Sequence, residues 1–244
     1  MSVSFLVALD TYTRQARLKP ALLVLMPSIL ALIAYYPEAI TSWMVLPGLL
    51  GTCGMTMFLS QVSRSLGKKK ESLLFDTWGG KPTTLLLRHR NASNKAQLER
   101  WHRHLRKLFP DVHLPTAEEE SQDPAKADAI YELCVDALRE KVRDRERFPL
   151  LFEENCSYGF RRNLWAMKPI GLFLAIISTI AVATLLVYSI HMGRTPSFLA
   201  IAVFLVNAAF CVWWVTIIKP TWVEEQANIY ARQLLASCEQ LQTP

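Results

Sequence analysis

Gly79-Gly80-Lys81 has the residue types that hold a phosphate: glycines let backbone N–H groups approach and the lysine supplies charge. A phosphate loop needs Gly-x-x-x-x-Gly-Lys-Ser/Thr, however. Here Phe75 stands where the first glycine belongs, and Pro82 replaces the hydroxyl that would hold magnesium. The two glycines therefore read as turn residues, and an ATPase is disfavoured. His102 and His104 are two residues apart, so on a helix they point about 200° from each other and make a poor metal pair. Both read as solvated histidines on a basic helix. Cys156 and Ser157 have no histidine near in sequence to act as base, and Glu118, Glu119 and Glu120 single out no carboxylate pair. No pattern here calls for catalysis or a cofactor, and the chain is read as a non-enzyme.

The remaining chemistry is binding. Lys81, Arg88, His89, Arg90, Arg100, Arg103, His104 and Lys107 supply the charge that a phosphate backbone requires, and Trp78 and Trp101 offer stacking surfaces. A second candidate stretch is ENCSYGFRRNLW, where Tyr158 and Phe160 alternate with Gly159, Arg161 and Arg162. The competing reading for both is a juxtamembrane collar attracted to anionic lipid. That reading explains Lys68, Lys69, Lys70 and Lys168 adequately, and Arg88 to Lys107 less well. The charge is uneven: residues 64–107 carry 12 Lys+Arg against 3 Asp+Glu, residues 108–168 carry 9 against 13.

Four apolar segments must position these groups. Residues 20–36, 43–62, 169–190 and 197–218 lack charge, and a hydrocarbon core about 30 Å thick needs roughly 20 such residues in a helix. Buried soluble helices are the alternative, disfavoured by two hairpins of this length. The short loops carry one charge each, Glu38 and Arg194, whereas the basic residues lie outside them. The positive-inside rule then places both termini and the middle segment in the cytoplasm. The five cysteines form no Cys-x-x-Cys pair, so neither a disulfide framework nor a zinc site is suggested.

The expected architecture is an α-helical integral membrane protein with four transmembrane helices and a small α+β cytoplasmic domain between the second and third. Its parts are residues 1–62 (amphipathic segment and first hairpin), 63–168 (basic ligand-binding domain) and 169–244 (second hairpin and C-terminal helix). Within the insert, residues 72–76 and 83–89 read as a β-hairpin around Trp78-Gly79-Gly80-Lys81-Pro82. Ser93 reads as the cap of a helix to Leu108, and Asp123-Pro124 as the N-cap and N1 of another ending before Phe148-Pro149. Asn207, Ser178 and Thr179 are candidates to line a pore or bond across helices, and Gly51, with Gly48 and Gly54, permits close packing. The 222–241 and 5–16 stretches are candidate oligomerisation helices.

FDTWGGKPTT followed by LLLRHRN, and later RDRERFPLLFEENCSYGFRRNLWAMKPIG, resemble the transmembrane ion-channel effectors of bacterial anti-phage (Hailong-type) defence systems. The resemblance extends over most of the chain. It implies an oligomeric channel in the bacterial inner membrane whose cytoplasmic domain binds single-stranded oligodeoxyadenylate made by a partner nucleotidyltransferase. The oligonucleotide holds the channel shut, and its loss depolarises the cell. A non-conducting scaffold, docked on anionic lipid or a protein partner, is the reading from another class.

Overall fold

The computed structural model describes residues 10–36 and 45–241, with side chains from residue 58 onward in the second stretch. The chain is 82% helical, with no strand among the described residues. It divides into two compact units, Met1–Glu71 with Gly159–Val223, and Ser72–Tyr158 with Glu224–Pro244.

The first unit contains three helices long and apolar enough to cross a membrane. One is Thr13–Tyr35, a π-helical turn Thr13–Leu18 leading into α1 (Lys19–Tyr35); the others are α8 (Lys168–His191) and α9 (Phe198–Thr216). Each answers an expected span, and together they mark a membrane protein. Phe173, Ile180, Val187, Phe198, Leu205 and Val212 are all more than half exposed on them. Lipid solvates such a surface and water does not.

The expected count of four spans is corrected to three among the described residues. The segment placed at 43–62 falls partly outside them. From Val45 it is the first half of α2 (Val45–Trp78), a 34-residue helix that runs without a break into Arg64 and Lys68 to Lys70. Its side chains are described only from Phe58 onward, so it does not enter that number. Residues 5–9 of the 5–16 stretch also lie outside the described residues.

Polar contacts fix the register of the bundle. Ser28 and Ser178 hydroxyls lie 3.2 Å apart, and Tyr35 donates to the Ala181 carbonyl at 2.6 Å. Asn207 Nδ2 donates to the Pro27 carbonyl at 3.2 Å. Hence α1 and α8 run parallel and α9 antiparallel, which brings Lys19, Lys168 and Lys219 to one end. Ala21, Val24, Met167, Ala175, Trp214 and Ile218 pack together there, and Ala31, Ala34, Val182 and Val203 towards the other end.

The second unit overturns the α+β expectation. Residues 72–76 continue α2, and residues 82–87 form a separate short helix, α3 (Pro82–Leu87). The intervening Gly-Gly-Lys-Pro is a helix stop and a helix start, not a hairpin turn. Gly79 has φ +79°, and its N–H bonds to Asp76 O at 3.3 Å, while Gly80 N–H bonds to Phe75 O at 2.8 Å. That pair of bonds is a Schellman C-cap, which satisfies carbonyls the helix end would leave open. Lys81 is then the extended N-cap and Pro82 occupies N1, where a missing N–H costs nothing.

Further on, a 3-10 turn (His89–Asn91) precedes α4 (Lys95–Leu108), capped by Asn94 rather than Ser93. Next come α5 (Ala117–Gln122), with a Thr116/Glu119 capping box, and α6 (Pro124–Lys141), capped by Asp123 with Pro124 at N1 as expected. α7 (Pro149–Ala166) and α10 (Pro220–Ala236) complete the helices, with a final 3-10 turn Ser237–Glu239. The core joins Leu87, Trp101, Leu105, Tyr131, Leu138, Leu234 and Leu235.

Candidate functional site

Much of the basic cluster of the sequence is consumed internally. Arg88 grips Asp128 with two bonds, Nε to Oδ1 at 2.8 Å and Nη2 to Oδ2 at 2.7 Å, and Nη1 reaches the Gly79 carbonyl at 3.0 Å. Arg90 shares Asp128 at 3.1 Å and reaches Glu120 at 3.0 Å. Lys81 pairs with Glu132 at 2.7 Å, and Arg100 with Glu239. The acidic residues of α5 and α6 thus neutralise the cations around α3, so the two oppositely charged halves of the insert fold onto each other.

Glu120 is the hub of this network, only 2% exposed. It accepts from the backbone N–H of His89 (2.7 Å) and of Arg90 (3.1 Å) and from the Tyr131 hydroxyl (2.9 Å). Burial pushes its carboxyl up, but these bonds and the Arg90 charge outweigh burial and leave it below its ordinary value. Burial likewise works against Asp128, and the hydrogen bond and charge of Arg88 hold it low. Tyr131 is driven up, first by burial and then by its bond to Glu120.

The histidines separate. His102 is buried, and its Nε2 donates to the Leu87 carbonyl at 2.9 Å; the ring lies edge-on to His89, centroids 4.8 Å apart. Burial is the main reason its pKa falls to about 4, so the ring is neutral. The solvated reading of His102 is therefore corrected: it faces the core beside Leu98, Trp101 and Leu105. His89 Nε2 sits 3.3 Å from the Pro115 carbonyl.

Neither tryptophan offers the open face expected of it. Trp101 is a core residue at 6% exposure, and Trp78 is half-buried and tilted against Phe75. Tyr158 is buried in an offset stack on Tyr230, with the rings 1° from parallel. Arg161 donates to the Trp222 carbonyl at 2.8 Å and lies over the Trp222 ring, and Arg162 is paired with Glu71 at 2.7 Å. These three residues are framework of α7, and no signal in the alternating aromatic and basic pattern distinguishes framework from site.

What stays available is one side of α4. Arg103 and Lys107 are exposed and His104 half-buried, opposite the face that buries Leu98, Trp101, Leu105 and Leu108. Arg106, which the residue pattern does not single out, is exposed beside them. None of Arg103, Arg106 and Lys107 closes an ion pair among the described residues. A row of exposed, unpaired cations on a helix braced by its opposite face can take an anion without breaking an existing bond.

In the membrane unit, Asn207 is fully buried and its Oδ1 has no partner among the described residues, while Thr179 bonds back to the Ala175 carbonyl at 2.7 Å. Ser178 is engaged with Ser28. The surroundings of Gly51 lie outside the described residues. No cluster among the described residues could hold a metal ion. The chain matches no protein-family model, no curated protein and no solved structure.

Proposed function

We propose that this chain is an oligomeric membrane effector of bacterial anti-phage defence, a channel in the inner membrane governed by an anionic ligand held on the second unit. The observation that carries the reading is the exposed Arg103, Arg106 and Lys107 face of α4, unpaired where the neighbouring Lys81, Arg88, Arg90 and Arg100 are spent on internal acids. The ligand is a single-stranded oligodeoxyadenylate supplied by a partner nucleotidyltransferase. The end of the bundle that gathers Lys19, Lys168 and Lys219 faces the cytoplasm, where positive charge is retained. The ligand favours the closed channel through higher affinity for that state, which is all that gating requires.

Binding of single-stranded oligodeoxyadenylate to the full chain in detergent tests the site. Arg103→Glu and Lys107→Glu are expected to weaken binding and to reduce the salt dependence, by about 0.7 in the log–log slope for each phosphate left without its cation. Unchanged affinity and slope would sink the proposal. Ion flux from liposomes tests the conductance: a leak that the oligonucleotide suppresses is expected, and a bilayer silent with and without it favours the non-conducting scaffold.

A further inference from the structure

A cavity of about 460 Å³ opens in the second unit between the start of α4, the preceding turn and the last turns of α10. Its wall is chemically biased. Among the described residues, Arg232 is its only charged residue and closes no ion pair, and no carboxylate lines it, although acids are frequent in this unit. Asn91, Gln97 and Gln233 add side-chain amides that make no hydrogen bond among the described residues. Each amide offers both donors and an acceptor. The apolar part of the wall includes Leu86 and Ile229.

These features select a ligand in three parts. A guanidinium with no acid in the wall suits an anionic group such as a phosphate monoester. Free amides suit a flat body with donors and acceptors on its edge, as they do on a base. The apolar wall suits the face of that body. The volume lies within the usual range of about 300–1,000 Å³ for small-molecule sites and far exceeds an inorganic anion. We propose that this cavity is a binding site for a nucleoside monophosphate, with Arg232 on the phosphate and Gln97, Gln233 and Asn91 on the base edge. It is separate from the Arg103 and Lys107 face, which lies on the other side of α4, so it does not depend on the oligonucleotide reading.

Calorimetry on the full chain in detergent, with adenosine, guanosine, cytidine and uridine monophosphates, tests this. Inorganic phosphate and the unphosphorylated nucleosides are the controls. At least one monophosphate is expected to bind, with about tenfold or more loss on removing its phosphate or in Arg232→Gln. Arg103→Glu should leave that binding unchanged. Gln97→Leu should reduce the preference among bases, and a melting curve for each variant separates lost binding from lost folding. Binding of inorganic phosphate as tight as any monophosphate overturns the proposal. So does binding that a folded Arg232→Gln leaves intact, or no binding of any monophosphate by the wild-type chain.

Discussion

His102 shows how one side chain can belong to the core while its neighbours in sequence belong to the surface. Its Nε2–H is spent on the Leu87 carbonyl and its Nδ1 meets no donor among the described residues, so a second proton would be a buried charge without a partner. Unfolded, the imidazole titrates near 6.5; folded, it does so near 4. Between those values the unfolded chain binds the proton and the folded chain does not, so stability is full above pH 6.5 and falls as the pH drops towards 4. From pH 7 to pH 5 the loss should be about 2 kcal/mol, at about 1.4 kcal/mol per unit. Urea unfolding at the two pH values measures it, and His102→Gln should flatten the difference. An equal difference in the variant would assign it elsewhere. Glu120 and Asp128 do not blur this window, because both carboxyls are held below their ordinary values and their contribution is lost only at lower pH. Glu120→Gln should be the costlier change at neutral pH, roughly 3 kcal/mol by the same urea measurement, because its buried amide NH2 then meets the N–H and O–H donors of His89, Arg90 and Tyr131 that the carboxylate accepts.

The break between α2 and α3 is decided by two residue types whose meaning depends on what flanks them. Gly79 at φ +79° has open space where a Cβ would be, so Gly79→Ala meets no clash and tests backbone conformation alone. The expected cost is about 1 kcal/mol, read from the midpoint of denaturant unfolding. No change would mean the helix ends without the left-handed cap. The same Gly-Gly-Lys-Pro reads from sequence as a hairpin turn, because short Leu-, Phe- and Thr-rich runs flank it and glycine marks both kinds of reversal. Proline at N1 is the cue for a helix start there, and the same cue places Asp123-Pro124 at the head of α6. Spans 20–36, 169–190 and 197–218 are legible because apolar runs of that length have few other uses. The candidate site is less legible: nothing local in Arg88 or Arg90 announces a partner about thirty to forty residues away, whereas the opposite faces of α4 follow from helical spacing alone.

Across the whole molecule, formal charge and usable charge differ. Within the +9 balance of residues 64–107, Lys81, Arg88, Arg90 and Arg100 are taken by Glu132, Asp128, Glu120 and Glu239, whereas the row on α4 keeps its charge. Charge reversal at Arg88 or Arg90 therefore tests folding, and only reversal on the α4 row tests binding. The membrane unit has its own point of tension. Gly171 of α8 lies against the buried indole of Trp214 in α9, where a Cβ would overlap the ring. Gly171→Ala must push the two helices apart or turn Trp214 out of its rotamer, at about 1–3 kcal/mol. Trp214→Leu alone opens a cavity and also destabilises the bundle. In the double variant the new methyl meets free space, so the cost of Gly171→Ala should largely vanish there. A double-mutant cycle from unfolding in mixed detergent micelles measures that coupling. If Gly171→Ala cost the same in both backgrounds, the packing of α8 on α9 would not rest on the meeting of Gly171 with Trp214.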